Sequence, residues 1–262
     1  MKPRITALIA SLALGGSLLF LSAGIATAVA PTTGPGGRGV GPGGRGVCAT
    51  EAAASKTSIT VIALRAFGNC EIDRRFTTLT ALSTRVSTSK VLTSADAAAL
   101  QSEIGSTRSG LTSLNATIDA ETSIPALKLD IVKIAADYRV YLLVAPQVHL
   151  VNAADGVLAA QTRFAKVNTN LAARIATAKA AGKDTTAAQA DLDAMNAAVT
   201  AAGNLAGPLP AQLLPLTPAQ YNGGTAGPVL TAARAALVQA RTDLKSAVAD
   251  AQACRAALKA LK

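Results

Sequence analysis

From Cys48 to Ala206 the apolar residues return at alternating steps of three and four, which is a helix period and not a strand period, and only Pro125 and Pro146 interrupt that span. The spacing predicts a first helix over about 50–90, with Val61, Leu64, Ile72, Phe76, Leu79, Leu82 and Val86 on one stripe and with Gly68 and Asn69 as the place where it would kink or split. Thr93, with Asp96 three residues on, resembles a capping box. It opens a second helix over about 94–118, in which Leu100, Ile104, Thr107, Leu111, Leu114 and Ile118 keep coiled-coil spacing. Ser123 and Pro125 mark a third start, and that helix runs over about 124–181, kinked at Pro146 and stopped at Gly182. Asp184 or Thr185 caps a fourth helix over 185–206, and a Pro-rich loop follows over 207–227. The fifth helix, over 228–261, carries Leu230, Leu237, Leu244, Ala251 and Leu258 seven apart beside Ala233, Ala240, Ala247, Cys254 and Leu261.

The fold class is therefore all-α: an elongated antiparallel bundle of about five helices with coiled-coil-like packing. A long central helix kinked at Pro146 is its spine, about 85 Å long at 1.5 Å per residue. Composition sharpens this picture. Half of the 262 residues are hydrophobic, yet aromatic residues make only 3%, so the apolar mass is Ala, Leu, Val and Ile. That is the composition of packed helices rather than sheets. Alanine columns let backbones approach closely and leave little room for a large internal ligand.

The first 47 residues do not share the helical period. Lys2 and Arg4 precede an apolar stretch from Ile5 to Ile25, and Ala26, Thr27 and Ala28 supply the small residues of a signal-peptidase site. Residues 1–28 are read as a signal peptide cut after Ala28, with an uncut anchor as the competing reading. Residues 29–47 hold the heptapeptide GPGGRGV twice, at 34–40 and 41–47, and are expected to form a disordered tether. The helical domain is then 48–262.

The formal charge is +10; Lys2 and Arg4 account for two of these charges, and Arg38 and Arg45 for two more, leaving +6 for residues 48–262. Residues 207–262 hold +4 of that, from Arg234, Arg241, Lys245, Arg255, Lys259 and Lys262 against Asp243 and Asp250. An exported basic helix meets an envelope protein, anionic lipid or an acidic wall polymer, and no nucleic acid partner is expected. These charges are spread around the helix, as a solvated face and the helix macrodipole also favour.

Three cysteines in an exported chain allow one intrachain bond. A continuous helix would hold Cys48 and Cys70 about 33 Å apart. The expected bond therefore joins Cys254 to Cys70 or to Cys48, stapling the last helix to the first.

Chemistry is densest in DYRVYLLVAPQVHLVNAAD, residues 137–155, which holds two of the three tyrosines, the one histidine and a helix-breaking proline. On a helical wheel Tyr138, Tyr141, Ala145, His149, Asn152 and Asp155 follow one track, close enough for Tyr and His to share hydrogen bonds with Asp137 or Asp155. Tyr138, Tyr141, His149, Asn152 and Asp155 are thus the candidate ligand-binding residues, with His149 as the titrating member. The structural alternative is an aromatic core at the kink. One histidine and dispersed carboxylates make no metal site, no cofactor motif is present, and no nucleophile, phosphate-loop or paired-carboxylate pattern assigns a catalytic residue.

The run around Tyr138 to Asp155, the turn from Leu92 to Asp96, and AGKDTTAAQADLD from Ala181 to Asp193 resemble a group of exported, Ala- and Thr-rich all-helical proteins of unknown function from high-GC bacteria. The resemblance covers roughly Cys70 to Lys262 and implies export and helical architecture, with nothing catalytic. The function expected from these features is that of an exported, non-enzymatic helical bundle of the cell envelope or exterior, acting through structural or protein and polymer contacts. The alternative is a carrier of a small apolar or aromatic ligand at the Pro146 kink.

Overall fold

Stripes spaced by three and four can be buried only if each helix turns its apolar side inward. The computed structural model, which describes residues 46–261, has this arrangement. The expected signal peptide and almost all of the tether lie outside the described residues. Among the described residues the fold is all-helical, with seven helices of nine or more residues, two single-turn helices and one π-helical turn. They are α1 (Ala49–Thr57), α2 (Val61–Thr88), α3 (Ser94–Ala120), α4 (Ile124–Ala136), the π turn (Val140–Val144), α5 (Ala145–Ala180), α6 (Thr186–Ala206), α7 (Leu209–Leu213), α8 (Pro218–Asn222) and α9 (Ala226–Ala260).

The expected stripe of α3 is buried in full, from Leu100 to Ile118 and including Thr107. Helix α9 buries Ala233, Ala240, Ala247 and Cys254 seven apart, beside Leu230, Leu244 and Leu258. Helix α6 buries Ala188, Leu192, Met195, Val199, Ala202 and Ala206, and its contact with α9 is the most extensive between any two helices described. Close approach recurs where α5 crosses α6: a Cβ on Gly203 would stand 2.7 Å from the Gln161 amide, so only glycine fits beneath that side chain as placed. Between α2 and α3 the Arg65 guanidinium donates to the Glu121 carbonyl, Asn69 to Asp119 and Arg108 to Thr80, each at 2.8 Å. Residue numbers rise along α2 as they fall along α3.

Two expectations are corrected. The first helix is two, broken at Ser58–Thr60 rather than at Gly68 and Asn69. Thr57 bonds back to the Ala53 carbonyl at 3.0 Å, and Thr60 caps the N–H of Ala63 at 3.1 Å, so hydroxyl groups compete with the helix ladder at this point. Gly68 stays inside α2, where a Cβ would come within 3.3 Å of Ile118 on α3. With the break in this place α1 folds back along α2, and Cys48 forms a disulfide with Cys70, their Cα atoms 5.9 Å apart. The bond expected from Cys254 to Cys70 or Cys48 is absent: Cys254 is a free, buried thiol on α9. The error lay in treating residues 48–70 as one rod.

The long central helix is bent, but its interruption precedes Pro146. Helix α4 stops at Ala136, and Arg139 takes a left-handed conformation with φ 41° and ψ 36°. The N–H groups of Leu142, Leu143 and Val144 then converge on the Arg139 carbonyl at 3.1, 2.8 and 3.4 Å. Pro146, which has no N–H to give, falls in the first turn of α5, where that loss is tolerated. The carbonyl of Ala136, which a continuous helix would offer to Val140, accepts from Asn222 at 2.9 Å. Asn222 also accepts from Arg139 at 2.6 Å, and the Arg139 guanidinium lies over the Tyr221 ring at 5.4 Å. Helix α8 thereby braces the break. The stretch Ile124–Ala180 is long and apolar enough to cross a membrane by composition, and half of its most apolar window is buried within the fold.

Helix α1 buries none of its own residues, whereas Cys48, just before it, is buried. The disulfide is the anchor of this hairpin. Reduction, or Cys48→Ser, is expected to strip amide-exchange protection from residues 49–57 while α2 to α9 keep theirs, with a loss of global stability of at most about 3 kcal/mol. Cooperative loss of protection from α1 through α9 would show that α1 is integral to the core.

Candidate functional site

The π turn removes the common track on which the five candidate residues were placed. Tyr138 lies before it and is half-buried against α3, where Gly110 makes room: a Cβ there would stand 2.5 Å from the tyrosine ring. Burial raises the Tyr138 hydroxyl above its ordinary pKa, the Asp137 carboxylate adds to that effect, and Lys133 opposes it. Tyr141 lies within the turn and packs toward α2, with the guanidinium carbons of Arg74 and Arg75 at 5.0 and 5.2 Å from its ring centre. His149 is exposed on α5. Desolvation by its neighbours, and then the charge of Arg85, lower its imidazole below the usual value. No hydrogen bond among the described residues links either tyrosine to His149, Asp137 or Asp155.

Asn152 and Asp155 do act together, and their partner is the turn between α2 and α3. Asn152 accepts the Ser89 hydroxyl at 2.6 Å, and Ser89 in turn accepts from the N–H groups of Val91 and Leu92, each at 3.3 Å. Thr93 caps α3 through the N–H of Asp96 at 3.1 Å, as the sequence suggests. In a complete capping box the third residue would also accept the N–H of the cap residue. Asp155 takes that N–H instead, at 2.8 Å from α5, and Asp96 accepts the Thr93 hydroxyl at 2.7 Å. Two side chains one helical turn apart on α5 therefore hold both ends of a loop that belongs to another part of the chain.

The carboxyl of Asp155 is almost fully buried, at 2% exposure, and its second oxygen has no partner. Burial raises its pKa above the ordinary carboxylate value, Asp96 within hydrogen-bond reach raises it further, and the Thr93 N–H opposes both. Gln147, also buried, donates to the carbonyls of Leu213 and Leu216 at 2.8 and 3.0 Å and so ties the Pro-rich segment to α5.

The residues that periodicity passed over are Glu71, Arg74 and Arg75 on α2. Arg75 stands between Ile72 and Leu79 at a spacing of three and four, which puts a charge on a stripe that is otherwise apolar. That was the available signal. Arg75 is 6% exposed, and Glu71 accepts from both arginines through one oxygen, at 2.7 Å from Arg74 and 2.6 Å from Arg75. Two solvent-open concavities lie elsewhere. One, of about 480 Å³, is lined by Ala116, Thr117, Ala120 and Glu121, and the other, of about 410 Å³, lies between the ends of α5 and α9.

Comparisons with protein families, with characterised proteins and with solved structures give no significant match.

A carboxyl group whose pKa is raised by folding stabilises the fold in its protonated form. That contribution is complete below the unfolded value and is lost as pH rises through the folded one. Asp155→Asn keeps an acceptor for Thr93 and carries no charge, so it is expected to melt higher than the wild type at pH 7 and to match it near pH 3. Asp155→Ala leaves the Thr93 N–H without its acceptor and is expected to cost about 1 to 2 kcal/mol. Thermal melts across pH 3 to 8 check both; an Asn variant that is less stable than the wild type at pH 7 would overturn the assignment.

Proposed function

We propose that this chain is an exported, non-enzymatic helical-bundle protein of the cell envelope or exterior, an antiparallel elongated scaffold that works by contact with a protein or polymer partner. The observation that carries this reading is what Asn152 and Asp155 do. These two residues of the segment densest in potential chemistry serve as clamps between α5 and the α2–α3 turn, each with one side-chain oxygen accepting from the chain's own backbone or hydroxyl group. A disulfide within the first helical hairpin suits an oxidising compartment, in keeping with the export signal.

Partner contact falls to the outer faces. Leu129 and Val132 on α4 are 66% and 62% exposed, large apolar side chains on a helix whose other side packs on α2 and α3. Helix α9 offers a surface of the opposite kind, with Arg234, Lys245 and Lys259 exposed toward any anionic polymer or lipid. The carrier alternative asks for an enclosed volume at Pro146. Tyr138 and Tyr141 pack onto α3 and α2, and His149 faces solvent, so the scaffold reading is preferred.

Intact-cell experiments test it. Mass spectrometry of the chain recovered from the envelope or medium is expected to find a new N-terminus after Ala28 and Cys48 bonded to Cys70. A photo-crosslinker at Leu129 or Val132 is expected to capture an envelope component that the same probe at exposed Thr112 on α3 does not. Recovery of the full-length chain from the cytoplasm, with both cysteines reduced, would refute the proposal.

A further inference from the structure

We propose that Glu71, Arg74, Arg75 and Tyr141 form a binding site for a small oxyanion, of the phosphate or carboxylate class. The helical spacing of 71, 74 and 75 brings the three charged side chains onto one side of α2, and the π turn sets the Tyr141 ring against them. Both guanidinium groups share one carboxylate oxygen of Glu71. Two positive charges thus face one negative charge, in a place where the side chains are 7 to 15% exposed. The buried carboxylate of α4, Asp130, is taken up by Lys133 at 2.8 Å. An excess charge at such depth is unfavourable until an opposite charge meets it.

The polar atoms left over say what would meet it. Arg74 Nε, Arg75 Nε and Tyr141 Oη are buried and have no hydrogen-bond partner. The two guanidinium nitrogens can only donate, and the phenol can donate as well. Three donors around one aromatic ring, with a net positive charge, call for a group that offers several acceptor oxygens and carries negative charge. A cation fails on charge, and an apolar ligand leaves every donor unpaired. Water would pair the donors without meeting the charge. Glu71 and Arg74, the more exposed members, mark the side from which an anion enters.

The experiment is a calorimetric titration and a thermal-shift series on the oxidised chain, with sodium phosphate and sodium acetate as probes against sodium chloride at matched ionic strength. Saturable binding of phosphate or acetate, with stabilisation beyond the chloride series, is the expected result. The order of the two tells a phosphate preference from a carboxylate one. Tyr141→Phe keeps the ring and removes one donor, and it is expected to weaken binding about tenfold, as befits the loss of one hydrogen bond to a charged group. Arg75→Gln is expected to abolish binding, while Arg174→Gln, on the far part of α5, leaves it unchanged. If Arg75→Gln does not fold, Tyr141→Phe decides alone. A response no greater than that of chloride, or one undiminished in Tyr141→Phe, overturns the site. The assay is independent of export, so its outcome and that of the scaffold proposal are separately decided.

Discussion

A helix that presents alanine to its neighbour can bury area only by bringing its backbone close, and that constraint governs the rest of this molecule. Along α6 and α9 the methyl groups of Ala188, Ala202, Ala206, Ala233, Ala240 and Ala247 are all buried. Leu230, Leu244 and Leu258 of α9 fill the space beside them. An interior of this kind is thin and well packed, and it tolerates little change in side-chain volume. Glycine occurs where a methyl group would crowd a neighbouring side chain, at Gly68 beside Ile118 and at Gly203 beneath the Gln161 amide. The two concavities described are open to solvent, one at the C-terminal end of α3 and one between the ends of α5 and α9.

Helix identity was legible because each stripe is long enough to repeat several times: α3, α6 and α9 lie within two residues of their expected bounds at each end. Breaks were less so, because a break depends on one or two residues whose competing bonds are settled by neighbours distant in sequence. Gly68 looked like the weak point of the first helix and proved to be a contact with α3. The Thr57–Thr60 hydroxyls, unremarked in the pattern, hold the real one. Pro146 marked the right region of the central helix, yet the interruption begins at Arg139, whose left-handed backbone is braced by Asn222 and Tyr221 from eighty residues away. No local pattern carries that information. The disulfide followed from the first of these breaks, and so did the error about it.

The candidate site was half legible for the same reason. Asn152 and Asp155 lie downstream of the π turn, in unbroken register on one track of α5, and both reach the α2–α3 turn, a target the wheel does not show. Tyr138 and Tyr141 lie before and within it, so the change of register sends them to different helices. Three polar side chains on α5 show where a core of small apolar side chains needs direction. Each of Gln147, Asn152 and Asp155 reaches across to a backbone or hydroxyl group of a turn, and together they choose one packing among the many that interchangeable alanines would permit.

The covalent bridge between Cys48 and Cys70 also sets the path of mechanical tension. A pull on the N-terminal segment reaches Cys48 first and passes through the sulfur atoms into the middle of α2, leaving residues 49–69 in a slack bypass. A chain held by its leading end would therefore hang from a fully packed helix of 28 residues, and not from the lightly docked α1 that comes before it. Severing the bridge moves the point of suspension twenty-two positions toward the N-terminus, onto a helix that buries none of its own residues.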